Sequence, residues 1–351
     1  MTFIALAVLT LLLAILTFLP VLRYEVWWIR ILDFPRLQLA SAALLLLIFQ
    51  FIFFNLSLFK SWAVIFFNIL VLFYQASWIL PFSAYYPVEV NSSSAGAKTS
   101  SIRIITANVL ETNKKYKAFL KLIQDYQPDI FVALETNVQW QEQFDTLGND
   151  YPFAVKCPKN NLYGMHVYSR LPLENACIKY LVEPDVPSIH ATALLPSGRQ
   201  IQLYFLHPKP PFYTENEHST ERDAELLLIG EISAEIDKPV VVTGDLNDVA
   251  WSDTTRLFRK ISRLLDPRIG RGMFNTFHTD YWFIRWPLDY FFHSSHFTLK
   301  TLERLPPFGS DHFAILIELN LEPDQETIQH TIPADSDDKK RADEKIQSVE
   351  T

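Results

Sequence analysis

Three stretches without a charged residue, Thr2–Leu22, Leu37–Phe59 and Ser61–Val88, dominate the first quarter of this 351-residue chain. Each can cross a hydrocarbon layer roughly 30 Å thick, which takes about 20 apolar residues. The pattern predicts three transmembrane helices near Phe3–Val21, Leu37–Phe59 and Trp62–Phe82. Tyr24, Trp27, Trp28, Trp62, Trp78, Tyr85 and Tyr86 crowd the expected ends, where an amphipathic ring can sit half in water. A cleaved signal peptide fits poorly, because no Lys or Arg precedes the first run and two more runs follow. Gln38, Gln50, Asn55, Asn68 and Gln75 would suit three buried helices of a soluble core, but uncharged runs of this length are rare there.

The grammar then changes. Residues 83–100, ending in "NSSSAGAKTS", are polar and small and read as a flexible tether. From Ile102 short β-rich runs alternate with amphipathic stretches. "IRIITANVL", "DIFVALETN" and "MHVYSRLPL" read as strands, and "SIHATALL" with "QIQLYFLHP" as a hairpin around "PSGR". "PVVVTGDLN", "LDYFFHS", "FTLKTLERL" and "HFAILIEL" complete the strand set. Helices are expected over Lys114–Tyr126, with Phe119, Leu122 and Ile123 on one face, over Glu217–Ile236, with Leu226, Leu227 and Ile229 inward, and near Thr254–Leu265. No internal repeat is evident. Past Asn320 the chain is charged and poor in apolar residues, so 321–351 reads as a disordered polar tail. The expected division is therefore 1–82 membrane region, 83–100 linker, 101–320 folded domain and 321–351 tail. About nine or ten strands with three helices give an α/β domain of two packed sheets flanked by helices.

Charge narrows the partners. The net −8 divides into five Lys/Arg against three Asp/Glu in residues 1–100, 22 against 27 in 101–320, and four against nine thereafter. A mildly acidic domain lacks the basic footprint of a protein that tracks long nucleic acid. The first loop carries Arg23, Arg30 and Arg36 while the second offers Lys60, so the positive-inside rule puts the C-terminal domain on the cytoplasmic side. Cys157 and Cys177 could pair or stay reduced.

Candidate chemistry gathers at strand ends. "VVVTGDLND" runs from four apolar or β-branched residues into Gly244, Asp245, Asn247 and Asp248. An Asx-turn accounts for Asp245 and Asn247 taken alone. Asn108 closes the first strand, Glu135 the second, His207 follows "LYFL", Asp289 opens "DYFF", and Asp311–His312 precede the last strand. Asn108 alone could be a turn residue, Glu135 a solvated loop residue, His207 a satisfied core histidine, and Asp311–His312 a turn cap. Asp289 within an apolar strand requires a partner, because an unpaired charge there is costly. As a set at strand ends these are residue types that phosphoryl chemistry uses. A zinc site fits poorly, since neither cysteines nor histidines show ligand spacing, and no phosphate-cradling glycine loop appears.

At "TANVL", "LET", "YFLHP", "GDLND", "LDYFF" and "GSDHF" the sequence resembles the endonuclease/exonuclease/phosphatase superfamily, and especially bacterial members with N-terminal transmembrane helices. The resemblance covers Ile102–Leu319 and none of the membrane part. It implies a DNase-I-like four-layer α/β sandwich and a hydrolase acting on phosphoester bonds. By the same resemblance Glu135 would bind a divalent metal, usually Mg2+ with Mn2+ as substitute, and Asn108 would help to position metal or phosphate. Asp245 would orient or deprotonate water, and Asn247 would hold phosphate. Asp289 would orient His312, which contacts the scissile phosphate, and Asp311 would support the metal. His207 matches the family's second histidine, followed here by Pro208 and Pro210–Pro211, so its loop departs from the pattern.

The expected protein is a membrane-anchored, metal-dependent phosphoesterase of a bacterial inner membrane, with no obligate protein partner. Its substrate would be a nucleic acid, a nucleotide or a phospholipid headgroup. Phe274, Phe277, Trp282 and Trp286 near the site would suit a lipid or a stacked base, or be ordinary packing. The alternative is a catalytically silent phosphate-binding module tethered to the membrane. A transport role for the helices is disfavoured, because the three spans carry no Asp, Glu, Lys, Arg or His.

Overall fold

The computed structural model describes residues 2–93, 100–322, 324–325 and 328–350. Three long apolar helices come first: α1 (Thr2–Phe18), α2 (Arg36–Phe53) and α3 (Phe59–Ile79). With their flanking turns they are long and apolar enough to cross a membrane. The second stops at Phe53, six residues before the expected end, because Asn55 and Leu58 close a turn in which Asn55 Oδ1 accepts from Ser57 N. Three amides within the runs find polar partners on neighbouring helices: Gln50 donates to the Thr10 hydroxyl, Asn68 to the Gln50 amide oxygen, and Gln75 to the Thr17 hydroxyl. Burying them in pairs removes the cost of a polar group in an apolar layer.

The folded domain has eleven strands in two sheets. The first runs β10 (Phe297–Arg304), β11 (Ile315–Leu321), β1 (Ser101–Asn108), β2 (Ile130–Leu134), β4 (Met165–Ser169), β3 (Phe153–Cys157). The second runs β5 (Leu173–Lys179), β6 (Ser188–Leu194), β7 (Gln200–Leu206), β8 (Val240–Asp245), β9 (Asp289–His293). The inner faces pack on each other through residues such as Ile104, Val132, Leu203, Val241 and Ile317. Helices α4 (Tyr116–Tyr126) and α5 (Val138–Asp145) cover the first sheet with Phe119, Trp140 and Phe144. Helices α6 (Thr220–Glu235) and α7 (Asp253–Ser262) cover the second with Leu227 and Phe258. The result is the expected four-layer α/β sandwich, and the helical faces anticipated at Phe119, Leu122, Ile123, Leu226, Leu227 and Ile229 are buried.

Two expectations about the flanks are overturned. Residues 83–93 are not a free tether: Val90 is buried between the sheets, Glu89 pairs with Arg259, and Asn91 N bonds Gln329. The rest of the expected linker, residues 94–99, lies outside the described residues. The tail expected to be disordered contains helix α8 (Ser336–Glu350). Ala342 and Ile346 join the core under α6 and α7, and Lys345, Arg341 and Asp338 pair with Glu25, Asp223, Asp253 and Lys260. Few apolar residues suffice because ion pairs do the docking.

The loop between the first two spans also lies on the domain. Trp27 N donates to the Glu217 carbonyl, Ser219 N to that of Glu25, and Trp251 Nε1 to that of Asp33. The domain therefore packs directly against this loop.

Helix α6 buries a lone acid. Burial, reinforced by Glu183, raises Glu225 to about 8. A raised carboxylate stabilises the fold below its ordinary value of 4.5 and loses that contribution as pH rises towards 8. Glu225→Gln removes the ionisation. Melting temperature of the detergent-solubilised protein should fall between pH 5 and 8 in the wild type and stay flatter in the variant.

Candidate active site

Strand direction assembles the site. Parallel pairing of β1 with β2 and of β7 with β8 carries Asn108, Glu135, His207 and Asp245 to one edge. β9 and β11 run antiparallel to β8 and β1, so their N-terminal ends return to the same edge. Asp289 is the register partner of Asp245, and His312 precedes β11. Thr106 and Thr243 bond across the sheets at 2.6 Å, and Asn108 Nδ2 spans the same gap to Asp245 Oδ2 at 3.2 Å. Gly244 permits the close strand approach: a Cβ there would lie 1.8 Å from the Leu206 carbonyl oxygen.

All eight expected residues lie in this region. Asn108 Nδ2 also donates to Glu135 Oε1 at 2.7 Å. His312 lies between two carboxylates, with Nδ1 2.8 Å from Asp289 Oδ2 and Nε2 3.6 Å from Asp245 Oδ2. His207 Nε2 is 4.0 Å from the same Asp245 oxygen. Asn247 Nδ2 donates to the Pro208 carbonyl, and its backbone N–H bonds Asp245 Oδ1 at 3.0 Å. The Asx-turn reading of "GDLN" therefore holds. Asp311 accepts from Ser310 Oγ at 3.3 Å and acts electrostatically on Glu135 and His312. Glu135 and Asn247 adopt φ of 56° and 51°, a left-handed backbone that costs a non-glycine residue on the order of 1 kcal/mol.

Burial sets the proton inventory. Burial alone would push His312 down, but Asp289, Asp245 and Asp311 lift it to about 10, so it carries a proton at neutral pH. His207, also buried, drops to about 4 despite Asp245 and stays neutral. Burial raises Glu135 to about 7 against the opposing Asn108 bond and the His312 charge. Asp245 is raised by burial, with His312 opposing and Asp289 adding to the rise.

A divalent cation fits one side of this cluster. Glu135 Oε2 is buried with no hydrogen-bond partner among the described residues. Beside it stand the carboxylates of Asp311 and Asp245, hard oxygen donors suited to such an ion. Asn108 turns its amide N–H to Glu135 and its Oδ1 to Leu110 N, so it braces Glu135 and does not offer the expected oxygen ligand. Asp245, Asp289 and His312 also bring ligand-type atoms within 4.8 Å of one another. Both nitrogens of a protonated His312 face carboxylates, however, leaving no lone pair for a metal. The Glu135 side is therefore the better cation site.

Several supports escaped the sequence reading. Ser310 Oγ donates to the Asn108 carbonyl and accepts from His312 N, stapling the "GSDH" loop to β1. Thr276 Oγ1 accepts from Leu288 N and Asp289 N, and Arg222 Nη1 donates to the Asn247 carbonyl. Apart from the local Ser310–His312 turn, none has a local signal, because the other partners are distant in sequence. Of the four aromatics, Phe277 lies 4.9 Å from the His312 ring and Trp286 stacks behind it. Phe274 packs on the inter-sheet core and Trp282 is 81% exposed, so neither lines the site floor.

A sequence profile described as the Endonuclease/Exonuclease/phosphatase family matches residues 105–312. No curated protein matches the chain. Among solved structures, Danio rerio (D. rerio) TDP2 humanized by 14 mutations is 16% identical with a TM-score of 0.52, covering 63% of this chain and 99% of that one. The human Nocturnin catalytic domain with bound sulfate is 19% identical, TM-score 0.52, covering 64% and 96%. An endonuclease/exonuclease/phosphatase from Beutenbergia cavernae is 16% identical, TM-score 0.51, covering 64% and 72%. At these identities the likeness is one of fold.

Proposed function

The chain belongs to the endonuclease/exonuclease/phosphatase family, and from that premise we propose that it is a membrane-anchored, divalent-metal-dependent phosphoesterase. The observation that carries the reading is the buried line Asp289–His312–Asp245 with Asn108 and Glu135 beside it. A structural ion pair needs neither a second carboxylate on the same imidazole nor an orphaned Glu135 oxygen next to it.

In this reading Glu135 and Asp311 would hold Mg2+, with Mn2+ able to replace it and Asn108 positioning Glu135. The ion when bound would supply Lewis acidity towards the phosphoryl oxygens. Asp245 takes a proton from water, whose oxygen bonds to phosphorus. The bond from phosphorus to the leaving alcohol breaks, and the leaving oxygen gains a proton from solvent. Charge builds on the non-bridging oxygens, where the His312 imidazolium donates, fixed in position by Asp289. Neutral His207 and the Asn247 side chain would contact the phosphate.

Purified full-length protein in detergent should hydrolyse bis-p-nitrophenyl phosphate with Mg2+ or Mn2+. EDTA should reduce the rate at least about 100-fold and added metal restore it. A rate indifferent to EDTA would remove the metal from the mechanism. Failure on this ester, plasmid DNA, single-stranded DNA and phospholipids alike would favour a silent phosphate-binding module.

The three spans would make the chain a multi-pass protein of a bacterial inner membrane. Arg23, Arg30 and Arg36 against Lys60 support a cytoplasmic domain. A reporter fused at the C-terminus should be active only on the cytoplasmic side, and activity on the opposite side would reverse the orientation.

A further inference from the structure

An apolar groove of about 370 Å³ leads away from the catalytic edge. Asn247 and His312 form its floor, and Ile31, Phe34, Phe212 and Trp286 wall it. Two of those walls belong to the membrane region. Ile31 and Phe34 sit in the loop joining the first two spans, and Phe34 meets Trp286 edge-on at 5.4 Å. One rim is tied to the second span, where Gln38 Nε2 donates to the Phe283 carbonyl at 2.8 Å. That contact sets the exposed rings of Tyr281, Trp282 and Phe283 level with the start of the span. On the other rim Phe212 and the exposed Tyr213 pack against Trp27 of the same loop. Aromatic rings on both rims, held at the end of a membrane helix, place the groove mouth at the bilayer–water interface.

We propose that this groove receives the apolar part of a membrane amphiphile, so that the site hydrolyses the phosphoester of a lipid presented from the bilayer. The proposal rests on the phosphoesterase reading and names its substrate class. Charge favours a lipid over a nucleic-acid strand. Among the described residues lining the groove there is no Lys or Arg, and Glu215 adds a negative group. A strand-binding channel joins stacking rings to a basic track. Nearby cations are already engaged: Arg285 donates to the carbonyls of His278, Thr279 and Tyr281, and Lys209 pairs with Glu183 and Asp185. A groove whose wall is a span-connecting loop also lets an acyl chain enter without crossing water.

The test compares two diesters with one leaving group, hexadecyl p-nitrophenyl phosphate in phosphatidylcholine vesicles and methyl p-nitrophenyl phosphate in solution, using the full chain reconstituted with Mg2+. The expected kcat/KM for the hexadecyl ester is at least about 10-fold higher, since each buried methylene adds to the preference. Phe34→Ser and Phe212→Ser should each erase most of that ratio and change methyl ester hydrolysis less than about twofold, which also reports an intact fold. Phe34→Leu should restore the ratio. Equal rates on the two esters, equal loss on both in the groove variants, or preference for a single-stranded oligonucleotide would overturn the lipid assignment while leaving the phosphoesterase reading standing. Inactivity on both esters would overturn that reading and the assignment with it.

Discussion

Asp245→Asn is expected to lower kcat/KM for bis-p-nitrophenyl phosphate by about 10³-fold, within the range that a positioned general base contributes. The substitution keeps the shape and removes the charge. Asp245 Oδ1 holds the Asn247 backbone N–H, and Oδ2 faces Asn108 Nδ2 and His312 Nε2. An amide at 245 can keep one acceptor, but its NH2 group must then face another donor. The attacking water loses its base, and the His312 cation loses one of its two carboxylates. Glu135→Gln should also cost activity at about 10²-fold or more, through a different route. Its Oε1 bond from Asn108 can survive, while the orphaned Oε2 becomes an amide nitrogen that cannot ligate a cation. Raising Mg2+ should therefore recover part of the Glu135→Gln loss and none of the Asp245→Asn loss. Metal titrations of kcat/KM for both variants separate the roles. Asp245→Asn retaining a tenth of the wild-type rate would end the assignment of this carboxylate as the base.

How much of this was legible in the sequence depends on where each residue's partners lie. Six strands that frame the site (β1, β2, β7, β8, β9 and β11) are apolar runs bounded at one end by a polar side chain, and both features are local. Asp289 was recognisable because a carboxylate opening "DYFF" demands a partner, and His312 supplies it from 23 residues away. β3 and β5 were invisible for the opposite reason: they are edge strands, largely exposed, and "LENACIK" carries no alternation to read. Helix α8 escaped because its docking rests on Lys345 reaching Glu25 and Asp223, 320 and 122 residues distant. The groove wall shows the same limit. Phe34 carries no signal of its own, and nothing near it in sequence announces that Trp286 will close on it. Chemistry placed at strand ends can be read one strand at a time, whereas a surface built by docking a membrane loop onto a distant domain cannot.

His312 and Asp289 should behave as one unit. His312→Ala removes the donor aimed at developing phosphate charge and is expected to cost about 10²–10³-fold in kcat/KM. Asp289 is a positioning residue: it is fully buried, its backbone N–H is held by Thr276 Oγ1, and its Oδ2 accepts from His312 Nδ1 at 2.8 Å. Asp289→Asn should cost about 10²-fold, because the imidazole loses the nearer carboxylate that keeps it protonated and oriented. If Asp289 acts only through His312, the double variant falls no more than about twofold below His312→Ala. Stability should move the other way. His312→Ala strands two buried carboxylates without their shared cation, and removing a partner from a buried pair costs about 3–5 kcal/mol. Adding Asp289→Asn neutralises one of them, so the double variant should melt at a higher temperature than His312→Ala while being no more active. Losses that multiply in the double variant would mean that Asp289 reaches the substrate independently of His312, and the carboxylate–imidazole–carboxylate line would no longer describe how the site works.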